Sequence, residues 1–254
     1  MIRPRVIHCL LLQGKGLVKT VRFRNPKYVG DPINAVKLFN EFEVDELVFL
    51  DIEATRTGQK PNFDRILEIT TECFIPLGYG GGVRSVEDAH RLFKVGVEKV
   101  IVNTAAAENP RLINEMAKAF GSQSVVVSID VKRDWLGHKR VVTRSGTRKI
   151  GGDPSGWARE VESRGAGEIL VNSVDRDGMM NGYDLPLIKA VSSAVNIPVI
   201  ACGGAGSVSD LKKAVQAGAS AAAAGSLFVF KGPHRAVLVN YVSPDDLQSF
   251  RQLR

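Results

Sequence analysis

The 254-residue chain is 44% hydrophobic and 24% charged, the balance of a globular protein, and its length suits one α/β barrel, here taken as a single domain over residues 1–254. No apolar run approaches a bilayer span, and Met1, Ile2, Arg3 and Pro4 lead into a strand without a signal-peptide core, so a cytoplasmic location with no membrane partner is expected. A formal charge of +7 reads either as a solvated surface with surplus Lys and Arg or as attraction for phosphate-bearing ligands or an acidic protein; nucleic acid is not expected, because the basic residues are scattered along the chain and no binding motif for it occurs.

The chain opens on a buried strand at 6–12, "VIHCLLL", that runs into a glycine turn, and a helix at 31–42 follows. Strands at 46–51, 75–79 and 99–102 come next, with helices at 85–95 and 109–120 among them. The strand at 124–130 leaves into "VKRDWLGHKRVVTRSGTRK", expected to form a hairpin or lid carrying Trp135, Leu136 and His138. Helices at 153–163, 184–194 and 207–217 then alternate with strands at 168–173, 198–201 and 221–224. Eight buried strands separated by helices indicate a parallel (β/α)8 barrel, with a doubly wound open sheet as the alternative. His90 and His234 read as helix-face residues, and Asp51, ending the second strand, suits a structural hydrogen bond and substrate orientation equally. Cys9, Cys73 and Cys202 lack metal-ligand or disulfide spacing; each reads as a small buried hydrophobe, and no metal or cofactor is expected.

An internal repeat favours the barrel. "IPLGYGGGVRSVEDA" (75–89) matches "IPVIACGGAGSVSDL" (197–211), and the same register pairs Glu46 with Glu168, Gly96 with Gly218 and Thr104 with Ser226. The chain therefore looks like two fused half-barrels. Extending the alignment to the first strand of each half, with a three-residue adjustment, sets Leu11 opposite Asp130. Strand C-termini face the reaction in such barrels, and two carboxylates across a mouth can divide general-acid and general-base work. Here one of the pair is aliphatic, and a leucine can neither donate nor accept a proton.

The glycines suggest anion binding. Gly82 and Gly204 lie in strand-to-helix turns, and Asn103-Thr104 and Gly225-Ser226 end the following strands. Backbone N–H groups at such turns can hold phosphate, so two symmetric sites would suit a small molecule phosphorylated at both ends. Tight turns alone are the plain alternative.

"DELVFLDI", "YGGGV", "VNTAAAENP", "FGSQSVVVSID", "RGAGEILVNSVDRDG" and "GGAGS" resemble the cyclase subunit of imidazole glycerol phosphate synthase over nearly the whole chain. The resemblance implies a heterodimer with a class I glutaminase subunit, ammonia passing through the barrel, and lyase chemistry of histidine biosynthesis on a bis-phosphorylated substrate. It assigns the acid–base pair to Leu11 and Asp130, the substrate lysine to Lys19, and phosphate contacts to Gly82, Asn103, Thr104, Asp177, Gly178, Gly204, Gly225 and Ser226. An ammonia gate at the opposite end of the barrel corresponds to Arg5, Glu46, Lys99 and Glu168, whose plain alternative is ordinary salt bridging. The sequence departs from the family at Leu11, at Met179 and at His8, which stands where the family has proline.

"CLLL", "LVKTVRFRNPKYVGDPINAVKLFNEFEVDEL" and "GSLFVFKGPHRAVLVNY" resemble more closely the glycosyl amidation-associated paralogues of that cyclase. That resemblance implies a third partner, an N-acetyl sugar amidotransferase of surface-polysaccharide synthesis, supplied with ammonia by the barrel. An authentic cyclase that recruits another acid in place of Leu11 is the alternative.

Overall fold

In the computed structural model, which describes residues 3–253, eight parallel strands close into a ring; Met1 and Ile2, part of the N-terminal reading, lie outside the described residues. They are β1 (Arg5–Gln13), β2 (Glu46–Asp51), β3 (Leu77–Gly80), β4 (Lys99–Val102), β5 (Val125–Arg133), β6 (Glu168–Ser173), β7 (Val199–Cys202) and β8 (Ala221–Ala224). Each pairs with the next, and β8 pairs with β1 to complete the barrel, which removes the open-sheet alternative.

Eight helices cover the outside: α1 (Pro32–Glu41), α2 (Phe63–Thr71), α3 (Val86–Lys94), α4 (Arg111–Phe120), α5 (Pro154–Ser163), α6 (Leu185–Ser192), α7 (Val208–Gln216) and α8 (Pro244–Arg251). Their starts are written locally. The side chains of Asp31, Ser85, Asp153, Asp184 and Ser207 accept the first free backbone N–H groups of α1, α3, α5, α6 and α7. Each such cap contributes about 1 kcal/mol. The sequence reading did not name α2 or α8.

Alternation along each strand separates two cores. Val6, Leu10 and Leu12 of β1 face the helices and join the large outer core, whereas Ile7 and Cys9 face the barrel axis with Val48, Ile101, Val126, Leu170 and Ile200. His8 therefore points outward. It is fully buried against Phe39, Phe228 and Tyr241, with ring centroids 4.5, 3.9 and 5.2 Å away. This departure from the family lies in the packing layer and not at the mouth.

Three hairpins rise on the C-terminal side of the barrel. The first pairs Gly16–Val21 with Arg24–Gly30 and was not anticipated; its two-residue turn, Arg22-Phe23, lacks the Gly, Asn or Asp that marks such turns, yet both residues take positive φ, 52° and 62°. The second, Lys139–Thr143 folding back on β5, is the hairpin expected after the fifth strand. The third joins Phe230–Lys231 to Ala236–Val237, so His234 sits in an exposed turn and not on a helix face. No described helix is long and apolar enough to cross a membrane.

Candidate functional site

The C-terminal ends of the strands surround one deep pocket. Leu11, Lys19, Gly82, Asn103, Thr104, Asp130, Asp177, Gly178, Gly204, Gly225 and Ser226 all line it. Residues far apart in the chain are thus brought together. Met179 does not line it; its carbonyl accepts a hydrogen bond from Arg235 at 3.2 Å.

Asp130 is almost fully buried at the top of β5. It accepts hydrogen bonds from Ser128 Oγ and Asn103 Nδ2, each at 3.3 Å. Burial, reinforced by the nearby Asp177 carboxylate, raises its pKa to about 7, although Ser128 and Asn172 oppose the shift. A carboxyl so poised can both give and take a proton near neutrality. Asp177 is also raised by burial, with Lys19 pulling it back, and it accepts from Thr20 Oγ1 at 3.1 Å.

Lys19 reaches the pocket because the strand Gly16–Val21 folds back antiparallel on the end of β1. Its Nζ donates to the carbonyl of Cys9 at 3.0 Å, and a Cβ at Gly225 would overlap that ammonium. Gly225 is therefore needed to admit the lysine. Gly178 and Gly204 have positive φ, and a Cβ on them would strike the carbonyls of Thr20 and Gly182. Backbone crowding explains these glycines without any ligand. What crowding leaves unexplained is the matched placement of Asn103-Thr104 and Gly225-Ser226, which start two short helices, Thr104–Glu108 and Ser226–Val229, on opposite sides of the pocket.

The other singled-out residues take their roles from their surroundings. Asp51 lines the pocket, but its Oδ1 accepts from the backbone of Glu53 and Ala54 at 2.8 and 2.9 Å, which makes it a loop fastener. His138 is exposed beside Asp134, outside the pocket. Cys9 and Cys202 are buried as expected, and both line the pocket, where the neighbouring thiol of Cys202 lowers the pKa of Cys9. Cys73 is only half-buried. Among the described residues, no group of three His, Cys, Asp or Glu side chains could hold a metal ion.

At the other end of the barrel, Arg5, Glu46, Lys99 and Glu168 form a closed ring. Arg5 bonds Glu46 and, at 2.6 Å, Glu168; Lys99 Nζ lies 3.0 Å from each of the same carboxylates. Burial raises the Glu46 pKa despite the two cations, while Arg5, also penalised by burial, is held charged by both glutamates. Between this ring and the pocket, the barrel axis is lined by the apolar inner core.

The profile of the histidine biosynthesis protein family matches residues 5–234. The chain is 54% identical over 95% of its length to a Pseudomonas aeruginosa protein named "Putative imidazole glycerol phosphate synthase subunit hisF2", covering 96% of that protein. It is 48% identical to a Leptospira interrogans protein named "Putative imidazole glycerol phosphate synthase subunit HisF", over 98% of this chain and 99% of the other. An Alkaliphilus metalliredigens protein named "Imidazole glycerol phosphate synthase subunit HisF" is 46% identical, over 90% and 91% of the two chains.

Proposed function

Because the chain belongs to the histidine biosynthesis protein family, we propose that it is a cyclase-like synthase subunit that receives ammonia from a glutaminase and supplies it for amidation of a surface-polysaccharide sugar. One observation carries this reading: the floor ring is complete, while the mouth position equivalent to Asp130 holds Leu11.

The glutaminase docks on the floor, around Arg5, Glu46, Glu98, Lys99 and Glu168. Phe74 supports that placement, because it is 85% exposed in the loop leading into β3 and its backbone N–H is fixed by Asn40 Oδ1 at 3.2 Å. A rigid exposed aromatic of this kind is a common interface anchor. Displacing the Lys99 side chain opens the ring, and ammonia then enters the axis. The apolar lining favours neutral ammonia over ammonium, because burying an unpaired charge there is costly. At the mouth, the Gly82/Asn103/Thr104 and Gly204/Gly225/Ser226 turns hold phosphate groups, with Lys19 adding positive charge. Asp130 is the group placed to exchange a proton with a ligand held there.

Asp177 favours a second reading. It lines the same pocket and raises the pKa of Asp130, so it could stand in for the missing acid in an authentic imidazole glycerol phosphate synthase cyclase. Reconstituting the barrel with its glutaminase and the N-acetyl sugar amidotransferase separates the two. Glutamine-dependent nitrogen transfer to an N-acetyl sugar, with negligible cyclisation, is expected; cyclisation at the rate of an ordinary cyclase overturns the amidation reading.

A further inference from the structure

The basic residues that look scattered in the sequence are gathered by the fold. Residues 16–30, 132–149 and 230–237, the three hairpin regions, contain 13 of the 34 Lys and Arg but only one of the 27 acids, Asp134. Their local charge is +12 against +7 for the whole chain, which leaves the remainder net acidic. All three are tied to pocket loops: Arg22 N donates to Asp177 O at 2.9 Å, Arg144 N to Thr104 Oγ1 at 3.0 Å, and Arg235 Nη1 to Gly178 O at 3.2 Å. The positive charge therefore rims the pocket.

Part of it is spent within the fold. Arg144 and Arg148 pair with Glu108, and Lys139 pairs with Asp184. Arg24, Lys27, Lys132, Lys149 and Lys231 make no ion pair among the described residues, and all but Lys132 are exposed. Large apolar groups stand among them. Of the ten exposed large hydrophobic residues among the described ones, six lie on or beside these hairpins: Val21, Tyr28, Trp135, Leu136, Val237 and Leu238. Trp135 is 89% exposed and Tyr28 64%.

Resting on the reading of the barrel as an ammonia supplier, we infer that this rim is the docking surface for the protein that consumes the ammonia, and that the partner presents an acidic face with an apolar centre. Unpaired basic groups alone would suit any polyanion. Exposed Trp, Tyr and Leu require an apolar counterpart as well, and aromatic anchors inside a charged rim are how protein interfaces gain affinity and register. Seating a partner on all three hairpins also seals the pocket opening against water, so ammonia leaves into the partner without being protonated in bulk.

The test uses the complete barrel–glutaminase complex and the purified N-acetyl sugar amidotransferase of the same genome, with binding followed by calorimetry. One variant combines Lys27→Glu, Lys149→Glu and Lys231→Glu; another combines Trp135→Ala and Leu136→Ser. None of these residues lines the pocket. Each variant is expected to weaken amidotransferase binding at least about tenfold while retaining wild-type thermal stability and glutaminase affinity. Raising ionic strength from about 0.05 to about 0.3 M should weaken the wild-type complex but not the charge-reversed one. Wild-type affinity in both variants overturns the docking surface while leaving ammonia supply intact. Failure of the unmodified complex to bind the amidotransferase overturns the supply reading too. Hairpin-dependent binding of anionic vesicles or single-stranded RNA, without amidotransferase binding, assigns the rim to those polyanions and overturns the inference.

Discussion

Leu11 and Asp130 occupy the same place in the two halves of the barrel. Leu11 is in register with Leu50 of the neighbouring strand, and Asp130 with Asn172; Leu50 and Asn172 are themselves separated by the repeat offset that relates Glu46 to Glu168. The repeat thus offers two equivalent sites for a carboxyl at the mouth, and only one is filled.

Restoring the second carboxyl should restore chemistry in part. Losing one member of an acid–base pair costs roughly a hundred- to ten-thousand-fold in rate. Leu11→Asp is therefore expected to raise cyclisation of the histidine-pathway substrate at least about tenfold with ammonium salt as nitrogen source, leaving glutaminase stimulation unchanged. Steady-state turnover by the unmodified protein equal to that of an ordinary cyclase would show that Leu11 is no lesion.

Asp130 should give stability a pH dependence of unusual sign. Its folded pKa, about 7, lies above the unfolded carboxylate value, so its contribution is complete below about pH 4 and is lost as pH rises towards 7. Denaturant titrations should show Asp130→Asn gaining on the wild type across that window, by up to about 4 kcal/mol. Parallel curves at pH 4 and pH 8 would refute the buried, proton-holding carboxyl.

His8 acts in the opposite direction. Burial among aromatic rings pushes its pKa down to about 3, and neither ring nitrogen has a partner among the described residues. The neutral ring suits the folded state above the unfolded pKa near 6.5, and stability is lost as pH falls below that value. By pH 5 the loss should be about 2 kcal/mol. His8→Leu should flatten the decline between pH 6.5 and pH 5 in the same titrations, whereas an unchanged slope would place its origin elsewhere.

The floor ring should couple stability to docking. Lys99→Met leaves Glu46 and Glu168 sharing Arg5 alone, and because the ring is partly hydrated the cost should be about 1–3 kcal/mol, below that of a fully buried pair. The glutaminase should still bind, but ammonia should escape from the opened floor, lowering the fraction of hydrolysed glutamine recovered in product. Full recovery by the variant would remove the gate role.

Gly225→Ala tests the mouth. The added methyl displaces Lys19 Nζ from its place beside Cys9, so inorganic phosphate should bind at least about fivefold more weakly by calorimetry. Phosphate occupying neither turn in the wild-type protein would count against the anion sites themselves.

Apart from the charged floor, which only the family resemblance implied, the sequence by itself determined the barrel, the two-fold repeat, most strands and helix starts, and a leucine set opposite Asp130 at the mouth. These were legible because strand burial, helix capping and side-chain alternation depend on neighbours a few residues apart, and because a duplicated chain carries its own alignment. Tertiary structure decided the rest. That His8 faces the helices, that Cys9 meets Cys202, that Asp177 bears on Asp130, and that scattered lysines and arginines form one rim all depend on ring closure and on where the hairpins fold. Electrostatic and packing energies follow distance in space, and in a closed barrel residues more than a hundred positions apart become neighbours.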